Sequence, residues 1–357
     1  MKRRQVLLGA ALAAGASFHF PAPAVARGLR ELTMVTDWPE GPGLFASARR
    51  LAQSIGMATG GRLRIEVLPS GALVRPFETF DAVEAGIADM FHSHTSYFEE
   101  KSSAFHFYSA LPFGFTANEM LAWVRFGGGQ ELWDRLSANF HIKPFLCCNT
   151  GTQMGGWFVN EIKFVEDFSG LRYRMAGLGA EVFRRLGAIV ILLPAADIVQ
   201  SLQSGAIEAC EWGGPWIDTV MGLHTAARYY YYPGWHEPGA AVALGINKSV
   251  WESLAPEDQQ VIEITATNEY AISLAEFNTN NARALQQLRA EGVIHIQGFN
   301  EEILRSLARI SSDVVTEAAS GDKLSREIHE SYLTFRDQIV DWSNISESTY
   351  IGIRMLR

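Results

Sequence analysis

The sequence predicts an α/β protein of two lobes, joined by crossing strands and helices and closed by a helical C-terminal tail. Three observations carry that prediction. The 357 residues exceed the size at which a single core usually stops growing. Strand-like and helix-like segments alternate from residue 31 to residue 247, the pattern of mostly parallel sheets covered by helices. Beyond Pro256 only helical periodicity remains. No Gly/Ser linker and no repeat interrupts the chain, so several segments are expected to pass between the lobes. Hydrophobic residues are 48% and charged residues 19% of the chain, a globular composition.

The N-terminus comes first. Lys2-Arg3-Arg4 is a basic start, Val6 to Ala16 an apolar Ala/Gly-rich run, and Ala24-Val25-Ala26 a small-residue cleavage site. Together they predict a signal peptide over residues 1–26 and an exported, periplasmic protein. The apolar run is short for a membrane anchor. The paired arginines suggest twin-arginine export. A preceding Ser and the Phe of that signal are missing, which leaves the general secretory route open. Removal of this segment leaves 27 basic against 39 acidic residues, a net charge of −12. Such a surface argues against nucleic acid or anionic lipid as a partner. An anionic ligand would need a local positive site.

Strands are expected at 31–36, 62–68 and 87–91, with helices at 45–57 and 76–85 between them. A second set follows, with strands at 142–148, 156–159, 171–175, 190–193 and 207–211 and helices at 181–186 and 195–204. Strands 229–232 and 241–247 come next, the latter apolar on both faces. Pro256-Glu257-Asp258 opens a helix, with Pro in the first turn and acids behind it. Its periodicity runs to about Arg289, and further helices cover 301–319 and 324–343. The expected division is lobe 1 over 27–148, lobe 2 over 149–232, a return to lobe 1 over 233–285, and a helical tail over 286–357. Cys147, Cys148 and Cys210 are odd in number and lie in apolar runs. They read as buried small side chains.

Familiar catalytic motifs are absent. There is no G-x-S-x-G, no H-E-x-x-H and no phosphate loop, and Gly127-Gly128-Gly129 completes no dinucleotide fingerprint. His92 and His94 are two apart near a strand end and read as structural or cleft-lining. Four other segments draw attention. Gly170-Leu171-Arg172-Tyr173-Arg174 enters a strand, with both arginines on one face. At the carboxyl end of a parallel strand, Arg174 would sit where α/β ligands bind, and its fork fits a carboxylate. On spacing alone a surface ion pair is the better reading, since such pairs are common. Glu211-Trp212-Gly213-Gly214-Pro215 ends a strand in hard oxygen ligands suited to a cation, or in an ordinary solvent-facing acid. Tyr229 to Gly239 holds Trp235, His236 and Glu237 between two Pro-Gly pairs, as a binding loop or a packed aromatic turn. Asn149-Thr150-Gly151-Thr152-Gln153 is a polar loop at a lobe boundary.

At these residues the chain resembles the solute-binding proteins of tripartite ATP-independent periplasmic (TRAP) transporters. The likeness covers nearly all of the mature chain. It includes Gly60-Gly61-Arg62-Leu63, Ile65 to Gly71, Asp81-Ala82-Val83, Gly86-Ile87-Ala88-Asp89 and Phe168 to Arg174. Within that DctP/TakP-like family, the segments at 149–157, 211–215 and 230–239 are similar to the alpha-keto acid branch, which binds 2-oxo or 2-hydroxy monocarboxylates. The resemblance implies a periplasmic-binding-protein-like fold and no catalysis. It also implies a bridging cation, Na+ or Ca2+, held by Gln153, Glu211 and Glu237 beside the Trp212 main chain. Arg174 would hold the ligand carboxylate, Gln153, Tyr97 and Trp212 would contact the ligand, and Trp38 would line the cleft. The partners implied are a small organic carboxylate of pyruvate or lactate type, the membrane components of a TRAP transporter, and a second copy through the C-terminal helices. The chain departs from the pattern at Ser96-Tyr97-Phe98, where a fuller aromatic cluster is expected, and at His236, where a second Trp is. Competing readings are a periplasmic hydrolase or lyase using Glu211 or His236, and a binder of another organic acid.

Overall fold

The structure is a computed structural model that describes residues 28–356. The expected signal peptide lies outside the described residues. Eleven strands form two sheets among the described residues. The first sheet contains β1 (Arg30–Thr36), β2 (Leu63–Leu68), β3 (Met90–Ser93), β4 (Ile142–Asn149) and β10 (Ala241–Asn247), in the order β2-β1-β3-β10-β4. The second contains β5 (Gly156–Phe158), β6 (Arg172–Arg174), β7 (Ile189–Ile191), β8 (Ala209–Cys210), β9 (Tyr229–Tyr232) and β11 (His295–Gly298), in the order β11-β9-β5-β8-β6-β7. Each sheet packs on helices over an apolar cluster, Met34, Ile55, Leu244 and Phe277 in one and Trp157, Ile198, Tyr230 and Leu288 in the other, and a third, larger cluster runs through both sheets, with Phe91 and Ala243 of the first and Phe158 and Tyr231 of the second.

Each sheet is mostly parallel, as expected, and carries one antiparallel strand. β1 runs parallel to β2 and β3, and β6 parallel to β7 and β8. β10 is antiparallel to both its neighbours, and so is β5. These two are the strands by which the chain enters a sheet from the other one. β4 leaves the first sheet through residues 150–155 to reach β5, and β9 leaves the second through residues 233–240 to reach β10.

The two crossings pair with each other. Thr150 N–H donates to the Ala240 carbonyl, Gln153 N–H to Glu237, Gly234 N–H to Gln153 and Gly155 N–H to Tyr231. Gly234 is required here, because a Cβ would lie 2.3 Å from the Gln153 carbonyl oxygen. A third connector is the helix Pro256–Glu291, 36 residues long and so about 54 Å from end to end. Its Ile262, Ala266 and Phe277 pack with the first sheet's core and its Leu288 with the second's. Pro256 stands in its first turn with Glu257 and Asp258 behind, as expected.

Several expectations shift. The stretch after residue 286 is not helix throughout, because β11 pairs in parallel with β9 before the helices Glu301–Ala318 and Lys323–Ser343. β8 is two residues long rather than five. The strand expected at 87–91 forms at Met90–Ser93, because Gly86 turns the chain at φ 71°. The glycine run at 127–129 separates two helices, Ala117–Phe126 and Gly129–Ala138, which the strand–helix pattern did not anticipate. All three cysteines are buried free thiols. No helix among the described residues is long and apolar enough to cross a membrane.

Candidate functional site

The crossings, the C-terminal ends of β6 and β8, and the end of β1 converge on one narrow cavity. All seven residues singled out from the sequence line it: Trp38, Tyr97, Gln153, Arg174, Glu211, Trp212 and Glu237. His94, Thr150, Ala176, Leu44, Ala240 and Val242 complete the wall. His94 was legible as a cleft candidate. The others are small or apolar and carry no signal, because any core strand presents such residues.

Arg174 ends β6, which lies between two parallel neighbours, β7 and β8. That places it at the strand end where α/β proteins bind ligands. It is 1% exposed, not a surface ion-pair residue. Period-two spacing does put Arg172 on the same face, but lower, where it meets Glu208 at 3.3 Å in partial solvent. Arg174 Nε donates to the Leu193 carbonyl at 3.2 Å, and Nη1 to the Glu211 carbonyl at 2.8 Å and to Glu211 Oε1 at 2.5 Å. Nη2 is buried and has no partner. The Trp212 ring covers the guanidinium at 5.1 Å, a cation–π contact that leaves Nη2 open to the cavity.

Glu211 and Glu237 are both buried, with opposite electrostatics. Burial raises the Glu211 carboxyl, but Arg174, His236 and the Ala176 N–H more than offset it, so its pKa falls below the usual carboxylate value. For Glu237, burial and then the charge of Glu211 push the carboxyl well above that value, and Arg174 offsets only part. The nearest cationic candidate is His94 Nε2, 3.9 Å away, and burial holds that imidazole down to about 4, hence neutral near pH 7.

Gln153 Nε2 donates to Thr150 Oγ1 at 3.2 Å, while its Oε1 is buried without a partner. His236 is 2% exposed with neither ring nitrogen bonded; Nε2 stands 3.7 Å from Glu211 Oε2. One ligand atom each from Glu211, His236 and Glu237 lies within 4.8 Å of the others. Buried polar atoms without partners are costly. Two acids and an orphaned amide oxygen are the donor set a hard cation takes, and its charge would reverse the repulsion between the carboxylates. These residues therefore fit a bound cation. His236 was considered from the sequence as a catalytic candidate and as a departure from the pattern, but not as part of this set.

A further buried carboxylate is held outside the cavity lining. Asp218, on the helix Pro215–Met221, accepts hydrogen bonds from Tyr230 Oη at 2.7 Å and Trp157 Nε1 at 2.9 Å. Those two rings stack at 3.9 Å. Burial pushes the Asp218 carboxyl up to about 7, partly offset by these two donors. In the lining itself, Trp38 Nε1 donates to His92 Nδ1 at 2.8 Å. His92 is thus structural, and burial holds it neutral, down to about 3.

Two sheets joined by paired crossings, with a buried arginine and carboxylates in the cleft between, define a two-lobed binding protein. The chain belongs to the bacterial extracellular solute-binding protein family 7 (DctP), whose pattern matches residues 34–322. It is 36% identical over 98% of its length to a monocarboxylate 2-oxoacid-binding periplasmic protein of Nostoc sp., covering 98% of that protein. A TRAP periplasmic solute-binding protein from Colwellia psychrerythraea, solved with calcium and pyruvate, superimposes with a TM-score of 0.88 at 30% identity. That match covers 91% of this chain and 99% of the other. A second, from Pseudoalteromonas atlantica with sodium and pyruvate, gives 0.87 at 30% identity over the same shares.

Proposed function

We propose that the protein captures a small 2-oxo or 2-hydroxy monocarboxylate, of pyruvate or lactate size, together with a cation, and delivers it unchanged to the membrane components of a TRAP transporter. The observation that carries this reading is the pairing of two unsatisfied groups in one cavity. A free Nη2 on buried Arg174 faces it from one side, and the orphaned Gln153 Oε1 with the strained Glu237 carboxyl from the other. A 2-oxo acid presents a carboxylate beside a second oxygen. Arg174 takes the carboxylate, and a cation held by Gln153, Glu211 and Glu237 takes the second oxygen. Trp38, Tyr97 and Trp212 cover the short carbon chain. The relatives solved with pyruvate hold calcium in one case and sodium in the other, and this chain is assigned the same choice.

The two sheets serve as the lobes that close over the ligand, with residues 150–155, 233–240 and the long helix as the hinge. Residues 1–26 direct export to the periplasm. Trp342, Ile345 and Tyr350 in the last helices are each more than 60% exposed, an apolar face that suits pairing with a second copy.

Calorimetric titration of the purified protein with pyruvate tests the reading, with and without calcium or sodium. Saturable binding that needs a cation and leaves pyruvate intact is expected. Consumption of pyruvate would establish an enzyme instead, and binding of neither pyruvate nor lactate would sink the proposal.

A further inference from the structure

A surface loop reaches the ligand cavity through one aromatic contact. Residues 69–78 leave β2 and return to the helix Thr79–Glu84. Phe77, near the end of that loop, has φ 69°, a conformation that L side chains rarely adopt. Its backbone N–H donates to Asp37 Oδ1 at 2.7 Å. Asp37 is buried at the end of β1, directly before Trp38. Its other oxygen accepts from Thr79 Oγ1 at 2.8 Å and from Ser93 Oγ. The start of the loop is fixed on the same segment, where Ser70 N–H meets the Trp38 carbonyl at 2.9 Å. A buried carboxylate accepting three hydrogen bonds holds one unfavourable backbone position, the kind of local strain that persists only when its surroundings impose it.

The held group is the Phe77 ring. It meets the Tyr97 ring edge-on, 4.8 Å between centroids. Tyr97 lines the cavity and Phe77 does not. Of the three aromatic walls, Trp38 is locked by its bond to His92 and Trp212 rests on Arg174. Tyr97 touches the Trp38 and His94 rings at 6.3 and 5.6 Å and stands beside Arg174, and its remaining, nearer ring contact is the half-buried Phe77 on the loop. With the ligand's carboxylate at Arg174, its carbon chain is left to the aromatic side of the cavity.

We propose that Phe77, positioned by Asp37 and acting through Tyr97, sets the chain length of the 2-oxo acid that this site accepts. The inference rests on the function proposed above. It assigns selectivity for short ligands to a residue that touches no ligand. Removing the Phe77 ring lets Tyr97 retreat and lengthens the cavity. Removing the Asp37 carboxylate frees Phe77 to leave its left-handed conformation, with the same result.

Titration of pyruvate, 2-oxobutanoate, 2-oxopentanoate and 2-oxohexanoate at saturating calcium tests it. The readout is the ratio of pyruvate affinity to that of each longer acid, which a merely structural loss would not move. The wild-type ratio should exceed about tenfold by 2-oxopentanoate, and Phe77→Ala should lower it by about tenfold, the scale of one or two methylenes in an apolar pocket. Phe77→Tyr should keep the wild-type ratio. Asp37→Ala should shift it as Phe77→Ala does, and the double variant should add nothing, since both act through one contact. If Asp37→Ala does not fold, the two Phe77 variants decide. A Phe77→Ala ratio within about twofold of wild type, or a flat wild-type series, overturns the proposal while leaving 2-oxo acid binding intact. Wild-type protein that binds none of the four acids overturns the underlying function as well.

Discussion

Arg174 with Glu211, and Glu237 with Gln153, occupy neighbouring corners of one cavity and are buried alike, yet they meet that burial differently. The first corner is nearly self-sufficient. The guanidinium bonds two carbonyls and a carboxylate, and the carboxylate also takes the Ala176 N–H. The second corner has an acid without a cation beside it and an amide oxygen without a donor. The contrast separates scaffold from receptor. Charges that complete each other fix the site's shape, and charges left incomplete mark where something else belongs. Arg174 belongs to both, since one of its amino groups remains free.

The contrast breaks first at Arg174. Arg174→Ala removes the carboxylate fork and strands Glu211 in a buried site. Such truncations cost about 3–5 kcal/mol. Pyruvate affinity should fall by at least about a hundredfold, with a lower melting temperature in the ligand-free protein. Unchanged affinity would show that the arginine serves the fold alone.

Glu237→Gln should act in the opposite sense on the empty protein. The folded chain binds the Glu237 proton more tightly than the unfolded chain, so this carboxyl costs stability increasingly as pH rises above its unfolded value. The amide keeps the shape without the charge. Thermal melts without ligand should therefore show the variant at least as stable as wild type, with the difference growing from pH 5 to pH 8. Calcium affinity should meanwhile weaken by roughly tenfold or more, because ligand charge sets it. A variant that melts lower at pH 8 and binds calcium normally would refute the assignment of the second corner.

A smaller effect is expected one layer deeper. Asp218 is raised from 3.8 to about 7. Its proton is held more tightly in the folded state, so stability falls as pH rises between those values and is level above about pH 7. Asp218→Asn should raise the melting temperature by on the order of 2–5 °C at pH 8 and by less at pH 5. An equal gain at both pH values would mean that packing, not charge, is responsible. The smallest effect concerns the C-terminal helices. Trp342→Ser should shift the protein toward monomer in sedimentation while leaving pyruvate affinity within about twofold, as surface substitutions do.

Much of this was legible in the chain. The long helix announced itself through Pro256 and the acids behind it, and Gln153, Arg174, Glu211, Trp212 and Glu237, from the four singled-out segments, line one cavity with Trp38 and Tyr97, which only the family resemblance suggested. Strand existence was clear from alternation, but direction was not. Periodicity does not record which way a strand runs, so β5 and β10 emerged as antiparallel only once the crossings were placed. β11 was hidden in the tail because four residues, His295–Gly298, carry too little pattern.

The sequence by itself determined the alternating α/β elements, the acidic composition and the residue types suited to a carboxylate and a cation. Those follow from local chemistry, since composition, period and motif are properties of neighbours along the chain. Tertiary structure alone decided that Arg174 is buried beside Glu211 rather than paired in solvent. It also decided that Glu237 makes no ion pair with a Lys or Arg among the described residues and that Phe77 stands behind Tyr97. Burial and pairing depend on residues far apart in the chain, and in a low-dielectric cleft those distances decide which charge is satisfied and which waits for a ligand.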